Sequence, residues 1–389
     1  MALAGIMTET LYIDNDEALA GFFERAGAAE FAAVDTEFMR EKTYYPKLCL
    51  IQIAINDVIA CIDPFAIKNI QPMLDLFTDP DVVKVLHSVS QDMEVFLHTF
   101  DCLPTPVYDT QIAASLTGMG DQVSYAKLVN EMLGVSLDKS HTRTDWSRRP
   151  LDDAQLIYAA DDVRYLAQIY PLQRARLVEQ GRLAWLQDDF DAAADPARYR
   201  PDPDSAWRRV KGYARLHGVD LAILSKLARY REQLAMTKDR PRRYILSDDQ
   251  LLDLVKSKPR NKNDLQRRRG FNDDVISRHG DQLLAAVQAG LDMPREQWPE
   301  SGKGKPLTAN QEVLADILMG LLKYQAKKNE VSVTSMASRK DVEQLVRGKG
   351  DMPLMSGWRY ELGGRTLSEF LQGKVSASVE NQQLILTGC

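Results

Sequence analysis

Four carboxylates and one phenol in the first half of the chain have types and spacings suited to metal-dependent chemistry. Asp35 and Glu37 are two residues apart in the segment AAVDTEF, so on a strand both side chains leave the same face. Tyr158 and Asp162 are four residues apart in a segment whose apolar residues have helical spacing, which puts them one turn apart on one face. On such a face the acid can bind a metal ion while the hydroxyl orients a water molecule.

Asp92 is the fourth acid, and it lies in the segment HSVSQDMEVFLHTF, directly after a predicted strand. An acid in the first turn of a helix is commonly present only because the helix dipole favours it. The alternative is a ligand in the crevice where the ends of strands place binding residues. Combined with Asp35, Glu37 and Asp162, it completes a set suited to two-metal hydrolysis of phosphodiesters, in which one cation activates water and the other stabilises the leaving oxygen.

The pattern D-x-E is weak by itself, because it occurs at Asp35, at Asp92 and again at Asp341. Only the first copy follows a run of small apolar residues at the end of a predicted buried strand. Isolated buried carboxylates are costly, so this pair needs a partner, and a metal ion is the expected one.

The elements that position these residues alternate between strands and helices. The predicted strands are 31–38, Lys47–Ile55, Val58–Ile62, 82–87 and 107–108. The predicted helices are 16–27, Ile70–Phe77, Gln91–Phe100, 110–117, Ser124–Leu133 and 151–167. A tight turn at Asn56 and Asp57 joins two of the strands. This alternation indicates an α/β domain with a mixed central sheet, ending near residue 190.

Charge is distributed unevenly along the 389 residues, although the net charge is only −6. Residues 1–200 carry 17 Lys and Arg against 31 Asp and Glu, a net of −14, whereas residues 201–280 carry 19 against 11, a net of +8. Acid clusters collect divalent cations, and basic modules collect phosphates. A basic face that is merely solvated is the alternative for the second region.

Composition and motifs argue against a membrane protein, a secreted protein and a helicase. No stretch of 18 uncharged apolar residues predicts a membrane span, and the start of the chain shows no secretory signal. The four cysteines have no zinc spacing, so a reducing cytoplasm is the expected location. No GxxxxGK[ST] phosphate loop occurs, which argues against a helicase.

Three segments, AAVDTEF, HSVSQDMEVF and IYAADDVRYL, resemble the three exonuclease motifs of the DEDD superfamily of 3′–5′ exonucleases. The tyrosine four residues before the last aspartate matches the tyrosine branch. The stretch KSHTRTDWSRRPL, residues 139–151, resembles the segment before the third motif in the ribonuclease D family. The resemblance implies a ribonuclease H-like α/β fold and two divalent cations, Mg²⁺ or Mn²⁺. It implies metal ligands and a water-holding hydroxyl at these positions: Asp35, Glu37, Asp92 and Asp162 as ligands, with Tyr158 holding the attacking water.

Asp161 is about 100° around the helix from Asp162, so it is not expected among the ligands. Basic residues of the loop before the catalytic helix either contact substrate phosphate or pair with the acidic domain; they are Lys139, Arg143, Arg148 and Arg149. Further candidates for nucleic-acid contact lie in the basic module: Arg242, Arg243, Arg267, Arg268 and Arg269.

The second half of the chain predicts two all-α modules. Residues 191–206 contain three prolines and no apolar run, and they indicate a linker between a nuclease domain at 8–190 and the helices. Residues 207–290 resemble an HRDC domain, with Ser247 as a helix N-cap. A second HRDC-like module is predicted at 305–375. Its SRKDV segment aligns with the helix start at Ser247, although any two amphipathic helices can share such a match.

The resemblance implies a cytoplasmic, monomeric 3′–5′ exoribonuclease that trims the 3′ trailers of transfer RNA precursors and other small structured RNAs. A DNA exonuclease of the proofreading type would use the same five residues, but no polymerase domain follows in the sequence. A nucleic-acid adaptor with a decayed site is the other alternative, although all five catalytic positions are intact.

Overall fold

The computed structural model describes residues 9–137, 144–300 and 306–388. The chain forms two compact units. The first, here called the sheet unit, comprises Met1–Phe38, Leu48–Arg198 and Leu307–Cys389. The second, here called the helical unit, comprises Met39–Lys47 and Tyr199–Pro306.

The sheet unit is built on six strands. They are β1 (Glu9–Ile13), β2 (Phe31–Met39), β3 (Lys47–Ile55), β4 (Val58–Ile62), β5 (Val83–Leu86) and β6 (Val107–Asp109). Their order in the sheet is β1-β4-β3-β2-β5-β6. Strands β1 and β4, β2 and β5, and β5 and β6 pair in parallel, whereas β3 and β4 are antiparallel. The register Ile55↔Val58 confirms the predicted turn at Asn56 and Asp57 and makes the sheet mixed, as the sequence predicts.

Among the described residues, seven α-helices accompany this sheet between residues 9 and 198. They are α1 (Asp16–Ala26), α2 (Gln71–Thr78), α3 (Ser90–Phe100), α4 (Thr110–Ala114), α5 (Tyr125–Leu133), α6 (Asp153–Glu179) and α7 (Gln187–Ala193). Helix α6 begins with a capping box between Asp152 and Gln155. It continues through Pro171 and is therefore longer than the predicted helix, which ends at residue 167. The core runs through the middle of the sheet, where β3 is buried from Leu48 onward.

The helical unit consists of α8 (Val219–Thr237), α9 (Arg242–Ile245), α10 (Asp248–Ser257), α11 (Lys262–Gln266) and α12 (Asp273–Leu291). Helices α8 and α12 approach closely, and a Cβ added at Gly290 would lie 2.4 Å from the Cα atom of Ile223. Glycine is therefore required at this crossing. Tyr44 completes the unit, because its hydroxyl donates to the fully buried Glu232 at 2.5 Å.

The remaining elements belong to the sheet unit. They are α13 (Ala309–Lys328), α14 (Val333–Met336), α15 (Arg339–Val346), α16 (Gly357–Arg359), a π-helical turn (Tyr360–Gly364), α17 (Arg365–Leu371), β7 (Val375–Glu380) and β8 (Gln383–Gly388). Strands β7 and β8 form an antiparallel hairpin that the sequence did not predict. Helices α10 and α15 both begin with a capping box, at Ser247 and at Ser338.

Helices α13 to α17 pack against the earlier part of the sheet unit. The rings of Trp185 and Trp358 stack with centroids 5.2 Å apart. Arg359 donates to both carboxylate oxygens of Asp189, at 2.7 and 2.8 Å. Among the helices of the described residues, none has the length and apolar character of a membrane span.

Candidate active site

Strand β2 positions the first two acids. It lies between β3 and β5, and its residues Ala32–Val34 are fully buried, which fixes the register of the strand against the core. Asp35 and Glu37 follow on one face and keep partial access to solvent. Protein nevertheless surrounds both carboxyl groups. Burial, together with the charges of Asp162 and Asp92, raises the pKa of Glu37 to about 9. The pKa of Asp35 is raised well above its ordinary value by burial and by the same neighbours.

Asp92 lies in the first turn of α3 and is buried. Thr36, which stands between the two acids of β2, donates its hydroxyl to Asp92 Oδ1 at 2.5 Å. This hydrogen bond ties the start of α3 to β2. Burial raises the pKa of Asp92 to about 7, although the hydrogen bond from Thr36 opposes the shift.

Helix α6 positions Tyr158 and Asp162 one turn apart. The ring of Tyr158 lies beside that of Trp146, with centroids 6.1 Å apart. Burial, together with the charges of Asp161 and Asp92, raises the pKa of Asp162 to about 7. The structure therefore places Asp162 where its charge interacts with those of Asp92 and the two acids of β2, although these residues are far apart in the sequence.

These four acids fit divalent cations by the chemistry of their donors. All are carboxylate oxygens, the ligands that Mg²⁺ and Mn²⁺ prefer. The neighbours that shift their pKa values most are other carboxylates, so a cation would relieve their mutual repulsion. Within the described ranges, no three His, Cys, Asp or Glu side chains are already arranged as a ligand set for one metal ion.

Asp161, the immediate neighbour of Asp162, has a different environment. Its carboxylate accepts a hydrogen bond from Arg164 Nε at 2.9 Å, and this ion pair is partly exposed. The two adjacent aspartates are therefore distinguished by their partners: Asp161 has a cation, whereas other acids surround Asp162.

Tyr125 is a residue of this region that the sequence did not single out. Its hydroxyl donates to the main-chain carbonyl of Asp161 at 2.8 Å, which fixes the turn of α6 that carries Asp162. Burial raises its pKa well above the ordinary value, and the charges of Asp162 and Asp35 add to this. The ring of His87 packs 5.5 Å from that of Tyr125. In the sequence Tyr125 is one aromatic residue in a predicted helix, and nothing marks it as part of the site.

Comparisons with known proteins agree with this geometry. A family model described as 3′–5′ exonuclease matches residues 11–174, and one described as HRDC domain matches residues 220–287. The chain is 38% identical over 384 residues to ribonuclease D of Sphingobium indicum, covering 96% of this chain and 98% of that protein. It is 37% identical to ribonuclease D of Acidiphilium cryptum, with 97% and 96% covered.

A solved structure leads to the same conclusion. The crystal structure of Escherichia coli RNase D, described as an exoribonuclease involved in structured RNA processing, superposes with a TM-score of 0.82 at 32% identity. The match covers 94% of this chain and 99% of that one. The chain belongs to the ribonuclease D family.

Membership of the ribonuclease D family confirms the resemblance found in the sequence and the fold class, an exonuclease domain followed by a helical HRDC domain. It also confirms the enzyme class, a 3′–5′ exoribonuclease. Dependence on divalent metal ions follows from the same fold.

The four basic residues predicted before the catalytic helix do not form one described group. Lys139 and Arg143 lie outside the described residues. Arg149 pairs with Asp63, to which its Nε donates at 2.5 Å and its Nη2 at 2.9 Å. Arg148 is exposed and pairs with the nearby Asp145 at 3.1 Å. Arg149 therefore pairs with an acid of the sheet unit. This agrees with the alternative that these basic residues pair with the acidic domain and do not contact substrate phosphate.

The basic residues predicted in the helical unit also differ from one another. Arg242 makes an ion pair with the buried Glu232, whereas Arg243 is exposed and lies over the ring of Tyr244, 5.5 Å from its centroid. Arg267 and Arg269 are exposed, and Arg268 is half-buried.

Proposed function

We propose that this protein removes nucleotides from the 3′ ends of structured RNAs, among them transfer RNA precursors. Four acids would hold two divalent cations, Mg²⁺ or Mn²⁺: Asp35, Glu37, Asp92 and Asp162. Tyr158 would hold the attacking water. The proposal includes a monomer in the cytoplasm, with a nuclease domain at residues 8–190, a linker at 191–206, and HRDC-type modules at 207–290 and 305–375.

One observation carries the proposal: burial and neighbouring acids raise the pKa values of four carboxylates that come from three separate elements. A structural role would pair such acids with Arg or Lys, as Asp161 is paired with Arg164. Acids that are buried together without such pairing repel one another, and bound cations would reduce this repulsion. When bound, two divalent cations would lower the pKa of a water and stabilise the charge on the leaving oxygen.

The protein's own residues have distinct tasks in this scheme. Thr36 orients Asp92 through its hydrogen bond, and Tyr125 holds the helical turn before Asp162. The Tyr158 hydroxyl, one helical turn from Asp162, would orient a water toward the phosphate. Activity on transfer RNA precursors is supported by the relatives, which are ribonucleases D, and by the solved structure of an exoribonuclease of structured RNA.

A matched pair of substitutions tests the site. Asp162→Asn should reduce hydrolysis of a 3′-extended RNA by several orders of magnitude, because a neutral amide cannot supply the charge that holds a cation. Asp161→Asn is the control at the adjacent position and should retain most of the activity. Equal losses in both variants would contradict the assignment.

Matched RNA and DNA strands with the same 3′ extension test the substrate. The purified protein is incubated with each strand in Mg²⁺, in Mn²⁺ or in EDTA, and the released mononucleotides are quantified. We expect 5′-mononucleotides from RNA with either metal and none in EDTA. Faster release from DNA would favour a DNA exonuclease instead.

A further inference from the structure

The segment before α6 is attached to the central sheet by an ion pair. Described residues 144–152 form neither helix nor strand, and they lead directly into α6. In this segment Arg149 donates its Nε to Asp63 Oδ2 at 2.5 Å and its Nη2 to Asp63 Oδ1 at 2.9 Å. Asp63 directly follows β4 and is only 4% exposed. A bidentate pair of this kind fixes geometry as well as contributing energy.

The remaining hydrogen bonds of Arg149 also lie inside the sheet unit. Its Nη2 donates to the main-chain carbonyl of Cys49 on β3 at 2.6 Å. Its Nη1 donates to the carbonyl of Trp146 at 2.9 Å and to that of Arg148 at 2.7 Å. The guanidinium lies over the ring of Phe65, 4.8 Å from its centroid. Arg149 therefore connects β3 to the main chain of the segment, and a lysine could not reproduce this planar set of donors.

Asp63 is held in place by further donors. The Tyr12 hydroxyl donates to its Oδ2 at 2.7 Å, and the main-chain N–H of Phe65 donates to its Oδ1 at 2.9 Å. Burial alone would raise the pKa of Asp63, but the hydrogen bond from Arg149 and these two outweigh it and hold that pKa below its ordinary value. Asp63 is therefore a fixed and ionised acceptor for Arg149.

Trp146 is the side chain that this attachment fixes beside the candidate active site. It is only 3% exposed, and its ring lies beside that of the half-buried Tyr158, with centroids 6.1 Å apart and planes inclined by 33°. A phenol directs its hydroxyl to one point only if its ring is prevented from tilting, and Trp146 packs on that ring. Reaction rates depend steeply on such placement, since an error of about 1 Å can cost about 100-fold.

We propose that Trp146 is a positioning residue for the Tyr158 hydroxyl, and that Arg149 and Asp63 hold Trp146 in place. The inference rests on the proposed function, because it takes Tyr158 as the residue that holds the attacking water. It assigns to Arg149 a task in the reaction that does not depend on contact with RNA phosphate. A residue that only stabilised the fold would affect the rate equally with or without the Tyr158 hydroxyl.

A double-mutant cycle between Trp146 and Tyr158 tests the proposal, with single-turnover cleavage of a short single-stranded RNA at saturating Mg²⁺ as the measurement. Trp146→Leu should lower the rate about 10- to 100-fold, and Tyr158→Phe about 10²–10⁴-fold. In the Tyr158→Phe background Trp146→Leu should cost less than about 3-fold more, because the hydroxyl that Trp146 orients is already absent. Trp146→Phe keeps an aromatic ring at the position and should restore most of the rate.

Arg149→Gln and Arg149→Lys test the attachment. Both should lower the rate about 10-fold or more, with RNA affinity in EDTA within about 3-fold of the wild type.

Arg359→Gln is the matched control, because Arg359 forms a similar bidentate pair with Asp189. Arg359 also donates to the carbonyl of Ser335 and lies over the ring of Trp358, 4.6 Å from its centroid. None of these partners is a residue of the candidate active site, so the rate should stay within about 2-fold of the wild type.

Three results would overturn the proposal. The first is an equal loss from Trp146→Leu in the wild-type and Tyr158→Phe backgrounds. The second is a wild-type rate in Arg149→Lys. The third is a loss of RNA affinity in the Arg149 variants that equals their loss of rate, as a phosphate contact would give.

Two controls keep these results interpretable. Thermal unfolding identifies a variant that does not fold; if Trp146→Leu fails, the same cycle with Arg149→Lys decides, and if the Arg149 variants fail, the Trp146 variants decide. Tyr158→Phe alone tests the proposed function. If it cleaves as fast as the wild type, the water-holding role of Tyr158 is refuted, whereas a slow Tyr158→Phe with an additive loss from Trp146→Leu refutes only the present inference.

Discussion

Replacing Asp162 by Asn should stabilise the metal-free protein while it removes activity. Burial and neighbouring acids raise the pKa of Asp162 from 3.8 to about 7, so at pH 8 the folded protein must hold a charge that its surroundings disfavour. That pKa difference corresponds to about 4 kcal/mol. Relaxation and water entry reduce this figure, and we expect a gain of about 2–4 kcal/mol for Asp162→Asn.

The sign of the pH dependence follows from the direction of the shift. The folded state binds the proton of Asp162 more tightly than the unfolded state, so folding is favoured at low pH. This contribution is fully present below the unfolded pKa of 3.8 and is lost as the pH rises through about 7. The difference between Asp162→Asn and the wild type in EDTA should therefore grow from pH 5 to pH 8.

Hydrogen–deuterium exchange in EDTA measures the effect locally, in peptides of α6. A gain of about 2–4 kcal/mol slows exchange about 30- to 1,000-fold, because each 1.36 kcal/mol is a factor of ten. Asp161→Asn is the matched control, and it should lose up to about 1 kcal/mol with its partly exposed ion pair to Arg164. The two adjacent substitutions thus change stability in opposite directions.

Saturating Mg²⁺ should narrow the difference between Asp162→Asn and the wild type, since a ligand at about 100 times its Kd stabilises the wild type by about 2.7 kcal/mol. The substituted site should gain less. If Asp162→Asn instead speeds exchange in EDTA as Asp161→Asn does, its carboxylate is not under repulsion, and the reasoning from burial and charge is refuted.

Other substitutions test single contacts. Tyr158→Phe should lower kcat by about 10²–10⁴-fold while RNA affinity stays within 2-fold, as stopped-assay kinetics and EDTA binding would show; equal losses in both would mean a structural role. Burial alone would raise the pKa of Glu232, but hydrogen bonds from Arg242 and Tyr44 outweigh it and hold the pKa below 4.5. Glu232→Gln should therefore cost about 2–3 kcal/mol in urea unfolding above pH 5, and the difference should shrink as the pH falls below 4.5; a constant difference would contradict the ion pair. Trp358→Ala should lower the thermal midpoint of the sheet unit, because it leaves the ring of Trp185 without its stacked partner.

Local patterns were enough to predict five of the six strands of the central sheet, all except β1, and most helices. Apolar periodicity identifies β3 and α3, and capping residues identify the starts of α10 and α15. The end of α6 was not predictable in this way. It runs on to Glu179 through Pro171, which on local rules ends a helix. Packing against the rest of the sheet unit, which buries Tyr170, Gln173 and Leu177, is what sustains it.

Contacts between residues that are far apart in the chain could not be predicted from the sequence either. Arg149 and Arg243 are equally plausible as RNA contacts when only the sequence is considered. In the structure Arg149 is bound to Asp63, 86 residues away, whereas Arg243 stays exposed. The pairing of Trp185 with Trp358 is of the same kind. Such contacts depend on the tertiary fold, and no local pattern reports them.

The third D-x-E pair shows why context decides function. Asp341 accepts hydrogen bonds from Ser338 in a capping box, and Glu343 accepts one from Arg339 at 3.1 Å. Both acids therefore have ordinary structural partners. Asp35 and Glu37 have the same spacing, but they lie on a strand that enters the core, and other acids are their neighbours.

Glu232 and Asp162 together show how a structural acid differs from a functional one. For both, burial favours the neutral form. Glu232 forms ion pairs with Arg242 and Arg209, so its pKa falls and its charge stabilises the folded state. The charges of Asp161 and Asp92 add to the effect of burial on Asp162, so its pKa rises. Its own charge therefore destabilises the folded state unless a cation is bound. A protein keeps such a destabilising charge where function needs it, and under the proposed function that need is for metal ions at the site of phosphodiester hydrolysis.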